Sequence, residues 1–198
     1  MNAAGESLQV HIPAGQNSAA IFRRKGVKMD SLMIHEPIIH IPEGVCTVEG
    51  TVERTFSTYG TRTYYILVPV FDRNTKIYVP TDGDTRKLRS ILSREEVTDL
   101  IDSLPDCKSC WIENEKERQA SFSQILSRFD REEMISLIRT LRDKRMEKIR
   151  TGKKFHSADE KVFREAERIL FSEFGYVLGI QPDEVPDYID ERLGRSKA

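Results

Sequence analysis

The sequence predicts an α+β protein, a small antiparallel β module followed by an all-α helical bundle. Three observations carry that expectation. Between residues 33 and 80 apolar residues recur at every second position, and the connections are only a few residues long. From residue 93 onward the period becomes that of amphipathic helices, with capping signals between them. The only tryptophan, Trp111, stands near the junction, ahead of helices whose polar faces are rich in arginine and lysine, densest from Arg142 to Lys154.

The elements follow in order. Residues 1–30 show no sustained period; Gly5, Pro13, Gly15, Gln16 and Asn17 are loop formers, and the segment reads as a flexible tail with one basic cluster, Arg23-Arg24-Lys25. Ile38, Ile39 and Ile41 make a short strand closed by Pro42-Glu43-Gly44. Val45 to Phe56 is rich in valine and threonine and reads as a second strand. Ser57 to Gly60 is turn chemistry, Arg62 to Val70 a third strand, Asp72-Arg73-Asn74 a hairpin turn and Thr75 to Val79 a fourth strand. Connections this short force antiparallel neighbours. A sheet this small buries a face by curling or closing, so an SH3-like or Tudor-like barrel is the natural solution. Pro80 to Asp84 is the expected boundary, giving a tail over 1–30, a barrel over 31–82 and a helical domain over 83–198.

Beyond it, Ser93-Arg94-Glu95-Glu96 is a capping box leading into Val97, Leu100, Ile101 and Leu104. Trp111 is expected to open the next helix, with Phe122, Ile125, Leu126 and Phe129 on one face. Asp130 caps a third helix carrying Met134, Leu137, Ile138 and Leu141, stopped by Gly152. Ser157 and Glu160 read as another capping box, ahead of Val162, Phe163, Ala166, Ile169, Leu170, Phe174 and Val177. A short helix with Val185, Tyr188, Ile189 and Leu193 follows Pro182.

Composition narrows the function classes. Hydrophobic residues at 38% of 198 are too many for wholesale disorder. No apolar run approaches the roughly 20 residues that span a bilayer, and the N-terminus lacks a charged region leading into an apolar core, so neither membrane span nor signal peptide is expected. The net charge of -1 leaves nucleic acid open, because binding depends on where charge sits. Three cysteines do not make a disulfide framework. Cys107-Lys108-Ser109-Cys110 is a C-x-x-C, but it has neither a second ligand pair for zinc nor the βαβ setting of a redox motif, and reads as a loop. His35, His40 and His156 converge with no carboxylate or cysteine set. No nucleophile-elbow, zincin or P-loop pattern appears, so a non-enzyme without cofactor is expected.

The order of short motifs resembles the CarD (CdnL-like) family of bacterial transcription regulators over roughly residues 32–193. The supports are Gly44-Val45-Cys46 with Val48-Glu49; Tyr64-Tyr65-Ile66-Leu67; Lys76-Ile77-Tyr78-Val79-Pro80; Leu88-Arg89 ahead of the Ser93 capping box; Trp111; Leu137-Ile138-Arg139-Thr140-Leu141; and Ser157 to Lys161 before Ala166-Glu167-Arg168-Ile169-Leu170. The resemblance implies a Tudor-like domain that binds the RNA polymerase β subunit, and a helical domain lying on promoter DNA at the upstream edge of the transcription bubble. There the tryptophan wedges at the minor groove and stabilises the open complex. The chain departs from the family pattern in several places. His35-Glu36 stands for a Gly-Asp pair, His40 for a tyrosine, Tyr78 for an arginine of some members, and Arg128-Phe129-Asp130 for Ser-Gly-Asp. Glu113, Glu115 and Glu117 surround Trp111 where many members carry arginines.

On this basis Arg54, Phe56, Lys76 and Tyr78 are the candidate polymerase contacts, with an exposed strand edge as the docking mode. Phe56 and Tyr78 alternatively fill the barrel core. Trp111, Lys116, Arg118 and Lys161 are the candidate DNA contacts, reading backbone and shape with little sequence preference. Trp111 alternatively packs the core, and the three cations alternatively pair with nearby glutamates on solvated faces. The basic run Arg142 to Lys154 equally complements a helix C-terminus. The expected protein is a cytoplasmic monomer, associated with the nucleoid through polymerase. The rivals are an interaction adaptor that never meets DNA and a thiol- or zinc-dependent protein centred on Cys107 and Cys110.

Overall fold

The computed structural model describes residues 32–58, 60–83 and 87–194. The segment read as a tail, 1–30, lies outside them. Five strands form one sheet: β1 (Pro37–His40), β2 (Gly44–Phe56), β3 (Gly60–Pro69), β4 (Ile77–Pro80) and β5 (Leu88–Arg89). Their order is β4-β3-β2-β1-β5 and the pairings are antiparallel, with Ile38 opposite Cys46, Val52 opposite Tyr64, Ile66 opposite Tyr78 and Ile39 opposite Arg89. β5 lies beyond the boundary read at Pro80 to Asp84; two residues carry no period from which a strand is legible.

The expected barrel does not close. β4 and β5 end the sheet and are not paired with each other. The physical reason lies in where its two faces go. Ile38, Cys46, Val48, Leu67 and Leu88 make a small core of their own, with Tyr65, Ile77 and Val79 against it. The neighbouring residues Ile39 and Val45 enter the larger helical core instead. Helices cover the face that closure would otherwise have to bury.

Cys46 is fully buried in the small core, and burial together with the Glu43 charge pushes its thiol up from 9.0 to about 12. A group that holds its proton more tightly when folded contributes stability below its unfolded pKa and loses it as pH rises to the folded one. The wild type is therefore expected to lose stability more steeply than Cys46→Ala between pH 9.0 and about 12. Parallel slopes in denaturant titrations across that window would remove the assignment.

The helical part comprises α1 (Arg94–Asp102), α2 (Glu115–Arg128), α3 (Arg131–Arg150), α4 (Ser157–Leu178) and α5 (Val185–Arg192), with 3-10 turns at Leu104–Asp106 and Pro182–Glu184. The Ser93 capping box forms in both directions, Glu96 N to Ser93 Oγ at 3.2 Å and Ser93 N to Glu96 Oε2 at 2.7 Å. Asp130 caps α3 by accepting from Glu132 and Glu133. The capping box expected at Ser157 does not form. His156 is the N-cap residue, with no side-chain capping bond, and Glu160 reaches Arg145 and Arg164 instead of its own helix start.

Two residues other than glycine sit where the backbone turns left-handed, His35 at φ 69° and Phe129 at φ 50°. A side chain there costs about 1–2 kcal/mol. His35 N donates to Val48 O at 2.7 Å, and Phe129 is buried in the core with the Arg131 guanidinium 5.2 Å from its ring centroid, so local contacts hold both in place.

Sheet and helices are joined tightly at α4. Gly44, at φ 85°, brings the β2 backbone so close that a Cβ there would lie 2.1 Å from Ser172 Oγ. That hydroxyl accepts from Val45 N at 3.1 Å. At the next residue of α4, the buried Glu173 carboxylate receives Arg131 Nε and Nη2, both at 2.8 Å, and the Leu92 N–H at 2.9 Å. Arg131 also donates to Ser90 O at 2.6 Å, so one ion pair ties the segment after β5 to α3 and α4.

Candidate functional site

The long hairpin of β2 and β3 projects past β1. β1 pairs with β2 only through Gly44–Thr47, and loop bonds from His35 and Glu36 extend the cover to Val48. From Gly50 to Phe56 one edge of β2 is open among the described residues. The register places Arg54 opposite Arg62 and Phe56 opposite Gly60. Because Gly60 offers no side chain, the Phe56 ring turns onto Tyr64, edge-on at 5.2 Å, and lies 6.5 Å from Tyr78. The Arg54 guanidinium stands 5.5 Å from the Tyr78 ring centroid. Phe56 remains 41% exposed while Tyr64 beneath it is buried. An aromatic surface rimmed by two arginines faces outward, next to a strand edge that is unpaired among the described residues. Like charges directly opposite in a sheet destabilise it, so the Arg54–Arg62 pair presents concentrated positive charge to whatever covers it.

The second cluster surrounds Trp111, which lies in the extended segment before α2 and does not open that helix; Asn114 is the N-cap. Its indole is half-buried. Indole Nε1–H donates to Glu113 Oε1 at 3.0 Å, and the ring centroid lies 4.2 Å from the Arg118 guanidinium and 5.2 Å from Lys144 Nζ. Arg118 is 5% exposed. It donates to both oxygens of the buried Asp159, at 3.2 and 3.1 Å, and to the carbonyls of Ile112 and Glu113 at 2.8 and 3.1 Å. This pair, with His156 Nε2 3.3 Å from Glu115, sets the starts of α2 and α4 side by side. Lys116 and Lys161 are exposed near those starts.

Residues 32–92 match the family model of the CarD-like/TRCF RID domain. Over that span the chain is similar to the CarD-like/TRCF RID domain. The match takes in all five strands and ends just before α1, so it covers the open hairpin edge and its aromatic face. That similarity supports an RNA polymerase-interacting, transcription-related role for this CarD-like module. No curated relative matches the chain. No helix among the described residues is long and apolar enough to cross a membrane.

In the CarD-like module the structure gathers Arg54, Phe56 and Tyr78 but leaves Lys76 apart, paired with Glu49 at 3.4 Å beside the β2 bulge. Phe56 does not fill the core. Arg62, absent from the sequence-based set, joins the group through register alone. Around Trp111 the correction is Arg118, whose guanidinium is spent internally and is not presented to a phosphate. A sequence signal for this existed, since Arg118 precedes Phe122 by four residues and so falls on the buried stripe of α2. Lys144, from the basic run, reaches the indole because α3 packs beside the loop; no spacing reveals that.

Cys107 and Cys110 both lie in that loop. Cys110 N and Sγ donate to Thr140 Oγ1 at 3.1 and 3.5 Å, and Cys107 Sγ to Ser103 O at 3.5 Å. Burial pushes both thiols up, opposite to the shift that makes a reactive thiolate. No group of three or more metal-ligating side chains lies together among the described residues.

Proposed function

We propose that this chain is a non-enzymatic transcription regulator working as a cytoplasmic monomer without cofactor. The hairpin face docks on the β subunit of RNA polymerase, and Trp111 meets promoter DNA near the upstream edge of the bubble, modulating open-complex stability. The observation that carries the reading is the open edge of β2 beside Phe56, Tyr78, Arg54 and Arg62, inside a polymerase-interaction module. An open edge accepts a partner strand through main-chain hydrogen bonds, while flanking side chains set specificity. The arginine pair suits an acidic partner surface. For DNA, the half-buried Trp111 beside Lys144, with Lys116 and Lys161 exposed near the starts of α2 and α4, supports a wedge with backbone contacts.

A second reading, an adaptor that never meets DNA, draws on Glu113, Glu115 and Glu117 beside Trp111 and on the internal use of Arg118. The Trp111 experiment in the Discussion separates the two.

Charge reversal tests the polymerase half. Arg54→Glu is expected to weaken binding to polymerase at least tenfold at low salt, because a rim charge of the wrong sign repels a complementary surface; this corresponds to about 1.4 kcal/mol. Titration of labelled chain with core polymerase reads it, with circular dichroism as the folding control. Wild-type affinity in a folded variant overturns the assigned face.

A further inference from the structure

We infer that Arg118 is a positioning residue, a platform that Asp159 anchors and that holds the Trp111 indole in its half-exposed pose. This rests on the reading that Trp111 meets DNA, but its geometric half stands alone. The guanidinium reaches three parts of the molecule at once. Two nitrogens engage Asp159 of α4, a third binds the carbonyls of Ile112 and Glu113, and the ring of Trp111 lies 4.2 Å from it. Ile112 and Glu113 are the two residues that follow Trp111, so one rigid group fixes both the ring and its backbone. Gln119 Nε2, 2.6 Å from Asp159 Oδ1, holds the carboxylate in turn.

The choice of residue matters. A planar fork binds a carboxylate bidentately and stacks on an aromatic face; an ammonium is a point charge that does neither together. An arginine that only joined α2 to α4 would need the Asp159 contacts and not the stack. An indole already fixed when it meets a base step loses less conformational freedom on contact, which favours binding. The remaining neighbours, Lys144 and Glu113, sit at 5.2 and 3.0 Å but are carried on exposed or half-exposed side chains. Arg118 alone of the three is buried.

Trp111 is the only tryptophan, so intrinsic fluorescence reports on this cluster and nothing else. The experiment uses the full chain with Arg118→Met, Arg118→Lys and Asp159→Asn, each checked for folding by circular dichroism. The expected result is lower steady-state anisotropy and stronger acrylamide quenching in all three. In Arg118→Met the indole should leave its pose for a roughly fivefold larger fraction of time, as loss of one cation–π stack implies. Arg118→Lys keeps the charge and should fail to restore the wild-type signal. Asp159→Asn disturbs the anchor while sparing the guanidinium, and keeps the test decisive should Arg118→Met not fold. Open complexes formed with polymerase and promoter DNA are then timed for the same variants, and should be shorter-lived while polymerase binding is unchanged. Wild-type fluorescence in folded Arg118→Met or Asp159→Asn, or full restoration by lysine, overturns the platform. Altered fluorescence with open-complex lifetimes unchanged, both here and in Trp111→Ala, supports the platform and overturns the DNA reading beneath it.

Discussion

Replacing Glu173 by glutamine is expected to destabilise the whole chain by about 3–5 kcal/mol, the usual consequence of removing one partner from a buried ion pair. Glu173 has no exposed surface and Arg131 is 3% exposed. The glutamine amide cannot accept at both oxygen positions, so Arg131 keeps its full charge in the interior with half its partner gone. The loss is structural as well as electrostatic. Glu173 Oε1 also accepts from Leu92 N, and Arg131 donates to Ser90 O, so the same pair orders the segment leading from the sheet into α1. Thermal melts should fall by roughly 10 °C for a chain of this size. Exchanging both charges for leucine and methionine should recover only part of the loss, because the Leu92 N–H and the Ser90 carbonyl then lack partners. A Glu173→Gln variant within about 1 kcal/mol of wild type in urea denaturation would mean that water reaches the pair.

Trp111→Ala is expected to shorten the open complex about tenfold while leaving polymerase binding intact, since a wedge that holds an unstacked step contributes on the order of 1–2 kcal/mol or more. The structure separates this from a stability effect. The indole packs against the edge of the core without being enclosed by it, and its surroundings are Arg118, Lys144 and Glu113. Truncation should therefore cost about 1–2 kcal/mol of stability, less than the 3–5 kcal/mol typical of an enclosed aromatic. Stopped-flow dissociation of promoter complexes, with melts run in parallel, gives both numbers. A folded variant with wild-type lifetimes removes the wedge and leaves the adaptor. A variant that melts as if an enclosed core ring had been cut returns Trp111 to the core.

Much of the architecture was legible in local patterns. The period-two runs placed β2 and β3 to within a few residues, Ser93 and Asp130 marked helix starts by capping chemistry, and the motif order pointed to the family that residues 32–92 match. These features are set by interactions within a few residues of each other, which is why the sequence by itself determined them. What it could not determine depends on separations of tens of residues. The sheet stays open because helices cover Ile39 and Val45, a fact of packing that no strand pattern encodes. Arg62 joins Arg54 only through register, and Lys144 meets Trp111 only because α3 runs beside the loop. Ser157 failed as a cap because Glu160, its expected reciprocal partner, found arginines on α3 and α4. The largest revision, Arg118, has the same origin. On a helix surface an arginine is a solvated charge by default; Asp159, 41 positions away in sequence, turned it into a buried one. The energy of such a pair exists only once the fold has excluded water from it, and so tertiary structure alone decided whether that charge faces a phosphate or holds a tryptophan.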